Sequence, residues 1–314
     1  MQSSAIDLAT GPTRSGFCGE AQPPGGGAPL DAGVGPVWLA NPYQPHLARI
    51  VRIHRMVPDN WVFTLRFLDE EVGREFRQQP GTFVMLSIPG AGEAPISISS
   101  SPTRPGTLEL CVRRVGRVTD ALYRLRSNDL VGVRGPYGNG FPVETMAGSD
   151  LLLVAGGLGM APLRSLLWYA LDRRERFGQL TLMYGAKNPA SMLFREELVS
   201  LVDRDDINCL LTVDSDPSGA WKNHVGLLPK LFDHARIDPH TTYAAVCGPP
   251  IVYKFVLERL LPLGFSKDRI LMSLERRMKC GVGKCGHCSI GYKYTCLHGP
   301  IFTYWDAINL PEMV

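Results

Sequence analysis

Four cysteines crowded between positions 280 and 296 constrain this chain more than any other feature. Cys280, Cys285, Cys288 and Cys296 follow the spacing Cys-x4-Cys-x2-Cys-x7-Cys, while Cys18, Cys111, Cys209 and Cys247 are scattered. A secreted disulfide scaffold would spread its cysteines through a small domain. Four clustered thiols in a large chain read instead as a metal site. The x4-then-x2 run matches the first three ligands of a plant-type [2Fe-2S] cluster. Such a cluster needs thiolates around two irons and a tight loop that turns backbone N–H groups toward sulfur. Gly281, Gly283 and Gly286 supply that freedom. A zinc-stapled, non-enzymatic interaction module is the rival reading, with His287 and His298 near enough to join the ligand set.

With 314 residues the chain suits two ordinary domains plus short appendages. Hydrophobic residues are 45%, enough for packed cores, yet no stretch approaches the ~20 apolar residues of a membrane span. Residues 1–30 lack a basic start followed by an apolar run, so a cytoplasmic location is expected. The net charge of +3 comes without a basic block, which argues against nucleic acid as a partner.

Residues 1–44, rich in Gly, Pro and Ser, predict an irregular arm. From 45 to 146 the pattern is β. Trp61, Phe63, Leu65 and Phe67 alternate along one strand, 82–88 and 107–113 predict two more, and Thr119-Asp120 would cap a helix through Arg126. Short strands with Gly/Pro turns predict an antiparallel barrel. From 147 to 272, strands at 151–155, 180–184, 208–213 and 242–246 alternate with helices near 161–174, 192–202 and 250–262. That order predicts a doubly wound α/β domain with a mostly parallel sheet. Residues 273–314 form the cysteine module.

Two Gly/Pro turns follow buried strands. Gly156, Gly157 and Gly159, with Ala161 and Pro162, open a helix, and Cys247-Gly248-Pro249-Pro250 follows a later strand. Such turns at the C-terminal ends of parallel strands let a pyrophosphate approach the backbone and meet a helix N-terminus. Alone, either is also an ordinary βα turn. In the β-region, Ala94-Pro95-Ile96-Ser97 could lay an extended backbone along a flat ring, or be a polar turn; Val115–Thr119 could meet phosphate at a helix start.

Taken in order, Pro80–Val84, Ala94–Ser97, Gly156–Pro162, Cys247–Pro250 and the cysteine tail resemble the ferredoxin–NADP reductase superfamily. Within it the chain is similar to the electron-transfer subunit of dihydroorotate dehydrogenase, and more so to the gamma (diaphorase) subunit of cytosolic bifunctional [NiFe] hydrogenases. The likeness spans about 41–314, and Glu275–Gly283 is its most specific stretch. The resemblance implies FAD, with Ala94, Pro95, Ile96 and Ser97 facing the isoalloxazine. Cys111, Val112 and Arg113 would approach the ribityl and adenine side, and Val118 and Thr119 the pyrophosphate. Gly156, Gly157, Gly159, Ala161, Pro162, Cys247, Gly248, Pro249 and Pro250 would hold NAD(P)H, and the four clustered cysteines the iron.

The superfamily usually carries Arg and Tyr where this chain has Ala94 and Ile96, so Arg113 and Arg117 become candidates for the missing positive charge. Arg164 reads as a phosphate contact or a solvated helix residue, and Lys187 as an NADP 2′-phosphate contact or a surface lysine. Cys111 and Cys209 read as small buried thiols. The resemblance implies hydride transfer between NAD(P)H and flavin, one-electron transfer to the cluster, and no catalytic protein acid or base. Only about forty residues remain for the cluster, which implies delivery to iron–sulfur and catalytic subunits of a larger complex. A [NiFe] hydrogenase is the expected partner, with complexes of the sulfite-reductase or dihydroorotate-dehydrogenase type as alternatives. The tail 299–305, with Phe302, Tyr304 and Trp305, is expected to offer an aromatic partner surface.

Overall fold

The first half of the chain curls one antiparallel sheet into a barrel. The computed structural model describes residues 41–310, all within one compact unit. Most of the expected N-terminal arm, with Cys18, lies outside the described residues. Strands β1 (His46–Val57), β2 (Asn60–Phe67), β3 (Phe83–Ile88), β4 (Gly92–Ser97), β5 (Leu108–Arg113) and β6 (Leu130–Tyr137) run in the order β4-β3-β6-β1-β2-β5. Just past β4, Ile98 bridges Leu110 of β5, so the two edges meet and the sheet closes. Ile50, Phe63, Leu65, Val84, Leu86 and Val133 fill the interior. In β2, Val62 and Thr64 are buried as well, because Val62 belongs to the neighbouring α/β core.

Two short helices decorate the barrel. Asp69 caps α1 (Glu70–Glu75), its carboxylate accepting from the amides of Glu71 and Val72. The second, α2 (Arg117–Leu122), begins before Thr119 and stops short of the predicted Arg126. Thr119 is not its cap. Its hydroxyl accepts from the amides of Val115 and Gly116 at 2.9 and 3.0 Å.

The second sheet follows the predicted α/β alternation. Its strands are β7 (Asp150–Gly156), β8 (Leu180–Ala186), β9 (Asn208–Val213), β10 (His224–Val225), β11 (Thr242–Cys247) and β12 (Ile270–Ser273). Helices α3 (Met160–Asp172), α4 (Arg195–Val199) and α5 (Pro250–Leu260) connect them. All these strands are parallel, in the order β10-β9-β8-β7-β11-β12. The interior of β7 is wholly buried, which explains its unbroken apolar run. Leu151, Leu153 and Ala155 pack with Leu163, Leu166 and Leu167 of α3; Leu152 and Val154 pack with Val256, Leu257 and Leu260 of α5. The helices therefore cover opposite faces, and the strand order reverses between β7 and β11. A ligand crevice is expected outside the C-terminal ends of those two strands. Helix α4 is shorter than the predicted 192–202: Met192–Phe194 is buried as a turn, with Phe194 left-handed at φ 53°.

The tail adds the small hairpin β13 (Ser289–Ile290) and β14 (Lys293–Tyr294), helix α6 (Thr295–His298), strand β15 (Ile301–Thr303) and helix α7 (Tyr304–Ile308). Strand β15 pairs antiparallel with β12 and extends the large sheet. This corrects the expected aromatic surface. Phe302 is buried in the α/β core and Tyr304 packs against it; only Trp305, 55% exposed, faces outward. Among the described residues no helix is long and apolar enough to cross a membrane.

Candidate cofactor-binding cleft

A cleft of about 990 Å³ lies where barrel, α/β domain and cysteine module meet. Strand β4 lines it with Ala94, Pro95, Ile96 and Ser97, and β5 with Cys111, Val112 and Arg113. Thr119 contributes from α2, and Leu158, Ala161 and Pro162 from the start of α3. The remaining wall is 273–279, leaving β12, together with His287, Ser289 and Pro300. The segment 94–97 is a strand rather than a polar turn, which leaves its backbone extended beside the cleft. Glu93, Phe83 and 273–279 were not assigned to a site from sequence. Nothing in the composition of 273–279 marks it as a wall, apart from its place before Cys280.

The two Gly/Pro turns lie at the switch point; Leu158, Ala161 and Pro162 of the first line this cleft, whereas its glycines and Cys247–Pro250 do not. Gly156, Gly157 and Gly159 follow β7; Cys247, Gly248, Pro249 and Pro250 follow β11, which is paired with β7 through Cys247 and Ala155. A Cβ on Gly159 would stand 2.1 Å from the Cys247 carbonyl oxygen, and one on Gly156 2.5 Å from Val252 Cγ2. The turns are thus packed on each other through glycine. Gly157 differs: its φ is +53° and a Cβ there would meet nothing within 4 Å. That open cradle, before the first turn of α3, fits a pyrophosphate.

Other candidates have different surroundings. Val118 packs on the barrel core, and Arg117 Nε donates to the Ala91 carbonyl at 2.9 Å; neither lines the cleft. Arg113 does. Arg164 is neither a phosphate contact nor solvated. It is buried, pairs through two nitrogens with Glu197 at 2.8 Å each, and reaches Glu109 of β5 at 2.8 Å and the Ser99 carbonyl at 3.0 Å. With Ser165 Oγ donating to the Ser100 carbonyl at 2.8 Å, it pins α3 to the barrel. Lys187 is exposed just after β8. Burial pushes the Cys111, Cys209 and Cys247 thiols up to about 12, so all three stay protonated at neutral pH.

The cysteine loop is preorganised around sulfur. Gly281, Gly283 and Gly286 all have positive φ, between 69° and 77°. The amide of Gly283 donates to Cys296 Sγ at 3.1 Å, and those of Val282 and Cys296 to Cys280 and Cys288 Sγ at 3.5 Å. Burial raises the Cys280 thiol, but the amides of Val282, Cys285 and Lys284 outweigh it and hold it at about 6. Burial, then the neighbouring Cys288 thiol, pushes Cys296 to about 12. Cys280 interacts with the Cys285 thiol, and Cys296 with Cys288 and with Cys280. Among the described residues no three His, Cys, Asp or Glu side chains gather as a site for one ion. Four neighbouring thiols, three of them with amides aimed at sulfur, fit the four thiolates that a two-iron cluster takes.

A barrel strand pair, a glycine cradle at a βα switch point and a thiol loop around one cleft define an oxidoreductase that binds a flavin, a nicotinamide nucleotide and an iron–sulfur cluster. Comparison with known families agrees. Residues 48–141 match an oxidoreductase FAD-binding domain, 153–258 an oxidoreductase NAD-binding domain, and 275–307 the iron–sulfur cluster binding domain of dihydroorotate dehydrogenase B. The sulfhydrogenase 2 gamma subunit of Pyrococcus furiosus is 45% identical over 87% of this chain and 100% of its own length. The probable dihydroorotate dehydrogenase B electron-transfer subunit of the same organism is 30% identical over 81% of this chain and 91% of its own. Among solved structures, an NADH-dependent reduced ferredoxin–NADP oxidoreductase superposes with a TM-score of 0.64 at 25% identity, covering 82% of this chain and 88% of that one. The chain belongs to the family of sulfhydrogenase gamma subunits, within the ferredoxin–NADP reductase-like proteins.

Proposed function

We propose that this chain moves electrons between NAD(P)H, FAD and a [2Fe-2S] cluster for a partner catalytic subunit, a [NiFe] hydrogenase in the cytoplasm. One observation carries the reading: a single cleft is walled by the flavin-type strands, the start of α3 and the chain entering the cysteine loop. In this reading residues 45–146 hold FAD, 147–272 hold NAD(P)H and 273–314 hold the cluster. When bound, the nucleotide and flavin supply hydride chemistry and the cluster one-electron chemistry.

The chain's own groups bind and orient. Extended Ala94–Ser97 would lie along the flavin ring, and Arg113 would answer phosphate charge in place of the cation missing at Ala94. Gly157 admits the nucleotide pyrophosphate to the start of α3, and the turn at Cys247–Pro250 completes the nicotinamide side. Cys280, Cys285, Cys288 and Cys296 would hold the cluster's irons. Burial keeps the Cys247 thiol, 3.8 Å from the Ser273 carbonyl, protonated at neutral pH. A dihydroorotate-dehydrogenase-type complex is the second reading, favoured by the likeness of 275–307 to that enzyme's cluster domain. Purification of the untagged native complex with metal analysis separates them. Nickel co-purifying with iron is the expected result; dihydroorotate oxidation without nickel would replace the hydrogenase.

A further inference from the structure

The guanidinium of Arg134, on barrel strand β6, is buried: its side chain is 2% exposed. Nε and Nη2 grip both oxygens of Glu93, at 2.9 and 2.6 Å. Nη1 donates to the Pro42 carbonyl at 2.8 Å, with the Tyr137 hydroxyl at 3.2 Å. Both terminal nitrogens also lie 3.2 Å from the carbonyl oxygen of Cys280. A barrel arginine thus holds the backbone of the first cysteine of the cluster loop.

Register gives that contact a meaning. Arg134 stands opposite Met85 of β3, and Met85 opposite Pro95 of β4, so the three form one row across the sheet. Pro95 lines the cleft at one end of the row. Over its middle, Gly281 sits where a Cβ would come 2.9 Å from Met85 Cγ and 3.3 Å from the Tyr137 ring. The loop entry is pressed onto this row at β3, one strand spacing, about 4.8 Å, from the flavin-facing strand. Asn139, just beyond β6, holds the far end of the module through the Ile301 carbonyl at 2.7 Å and the Ile301 amide at 3.1 Å.

An ion pair between a buried guanidinium and a part-exposed carboxylate is a poor source of stability, since desolvation of the arginine and solvent around Glu93 offset most of its attraction. What a forked, fully occupied guanidinium provides is fixed geometry. Glu93 precedes the flavin-facing residues directly, so the fork ties their strand to Cys280. We propose that Arg134 is a positioning residue: it sets the cluster loop at a fixed spacing from strand β4, and thereby governs electron passage between flavin and cluster. This rests on the flavin and cluster reading above, and the wild-type arm of the test examines that reading separately.

The experiment uses the full-length holoprotein with Arg134→Lys, which keeps the charge and loses the fork. Flavin content, iron content, melting temperature and the EPR spectrum of the dithionite-reduced cluster are measured beside stopped-flow reduction by NAD(P)H. Expected are unchanged flavin content and flavin reduction, an altered cluster EPR line shape, and cluster reduction slowed by about tenfold or more. Loss of cluster with flavin retained has the same meaning, because the loop entry is then no longer held. An unaltered EPR spectrum with wild-type cluster reduction overturns the proposal, as does joint loss of flavin, cluster and fold. Tyr137→Phe, which removes only a hydroxyl from the network, guards against misfolding. It should show the same split to a smaller degree, and a folded variant with no split also overturns the proposal. A wild-type protein lacking flavin or cluster would instead refute the underlying reading.

Discussion

Gly159 and Gly157 lie two residues apart in one turn, yet alanine should act at each through a different mechanism. Gly159 has φ near −58°, a conformation open to any residue, so alanine there meets no backbone strain. Its Cβ would nevertheless stand 2.1 Å from the Cys247 carbonyl oxygen and 2.4 Å from its carbon. Ordinary contact begins near 3.4 Å, so one of two backbones must withdraw by about 1.3 Å (3.4 − 2.1). Cys247 ends the central strand β11 and Gly159 caps α3 three residues after β7, its partner in the sheet, so neither backbone shifts singly. Overpacking of that kind costs about 3 kcal/mol, or about 6–12 °C in melting temperature for a chain of this size. At Gly157 the space is empty but φ is +53°, so Gly157→Ala costs about 1 kcal/mol of left-handed strain. Its methyl projects where the nucleotide must approach, and the KM for NAD(P)H should rise on the order of tenfold, about 1.4 kcal/mol. Thermal melts and stopped-flow flavin reduction read both effects. A Gly159→Ala melt within 2 °C (about 0.5–1 kcal/mol) of wild type would refute the packing argument. An unchanged KM in Gly157→Ala would move the pyrophosphate elsewhere.

Cys285→Ser should abolish the cluster EPR signal on reduction while NAD(P)H still reduces the flavin; a full signal would break the ligand assignment. Arg164→Met strands Glu109 and Glu197 without their buried partner and should cost about 3–5 kcal/mol, seen in chemical denaturation. Phe302→Ala empties a site in the α/β core and should cost about 3–5 kcal/mol, whereas Trp305→Ala should stay within about 0.5 kcal/mol. Equal losses for those two would restore the tail as a surface feature.

Much of this architecture was legible because its signals are local. Cys280–Cys296 announces a metal site through spacing, and Leu151–Ala155 declares a strand through an unbroken apolar run. Strand β4 was harder: Pro95 and the surrounding Ser and Glu imitate a turn, and only pairing with β3 makes it extended. Strand β15 holds three residues, too few for a periodic signal, and its place in the sheet depends on β12. Arg134 and Arg164 were hidden for a general reason. In sequence a buried arginine looks like a surface one, and the partners that make burial tolerable lie far along the chain: Glu93 and Cys280 for one, Glu109 and Glu197 for the other. The aromatic tail misled because exposure belongs to each residue: Phe302 faces the core and Trp305 faces outward.

The central claim is that one chain gathers a flavin and a two-iron cluster around a single cleft. Assay of flavin, iron, zinc and acid-labile sulfide on the anaerobically purified chain tests it most directly. Iron and labile sulfide are expected in equal amounts, each twice the flavin, with zinc at trace level. Stoichiometric zinc without labile sulfide, or a preparation without flavin after cofactor reconstitution, would contradict it.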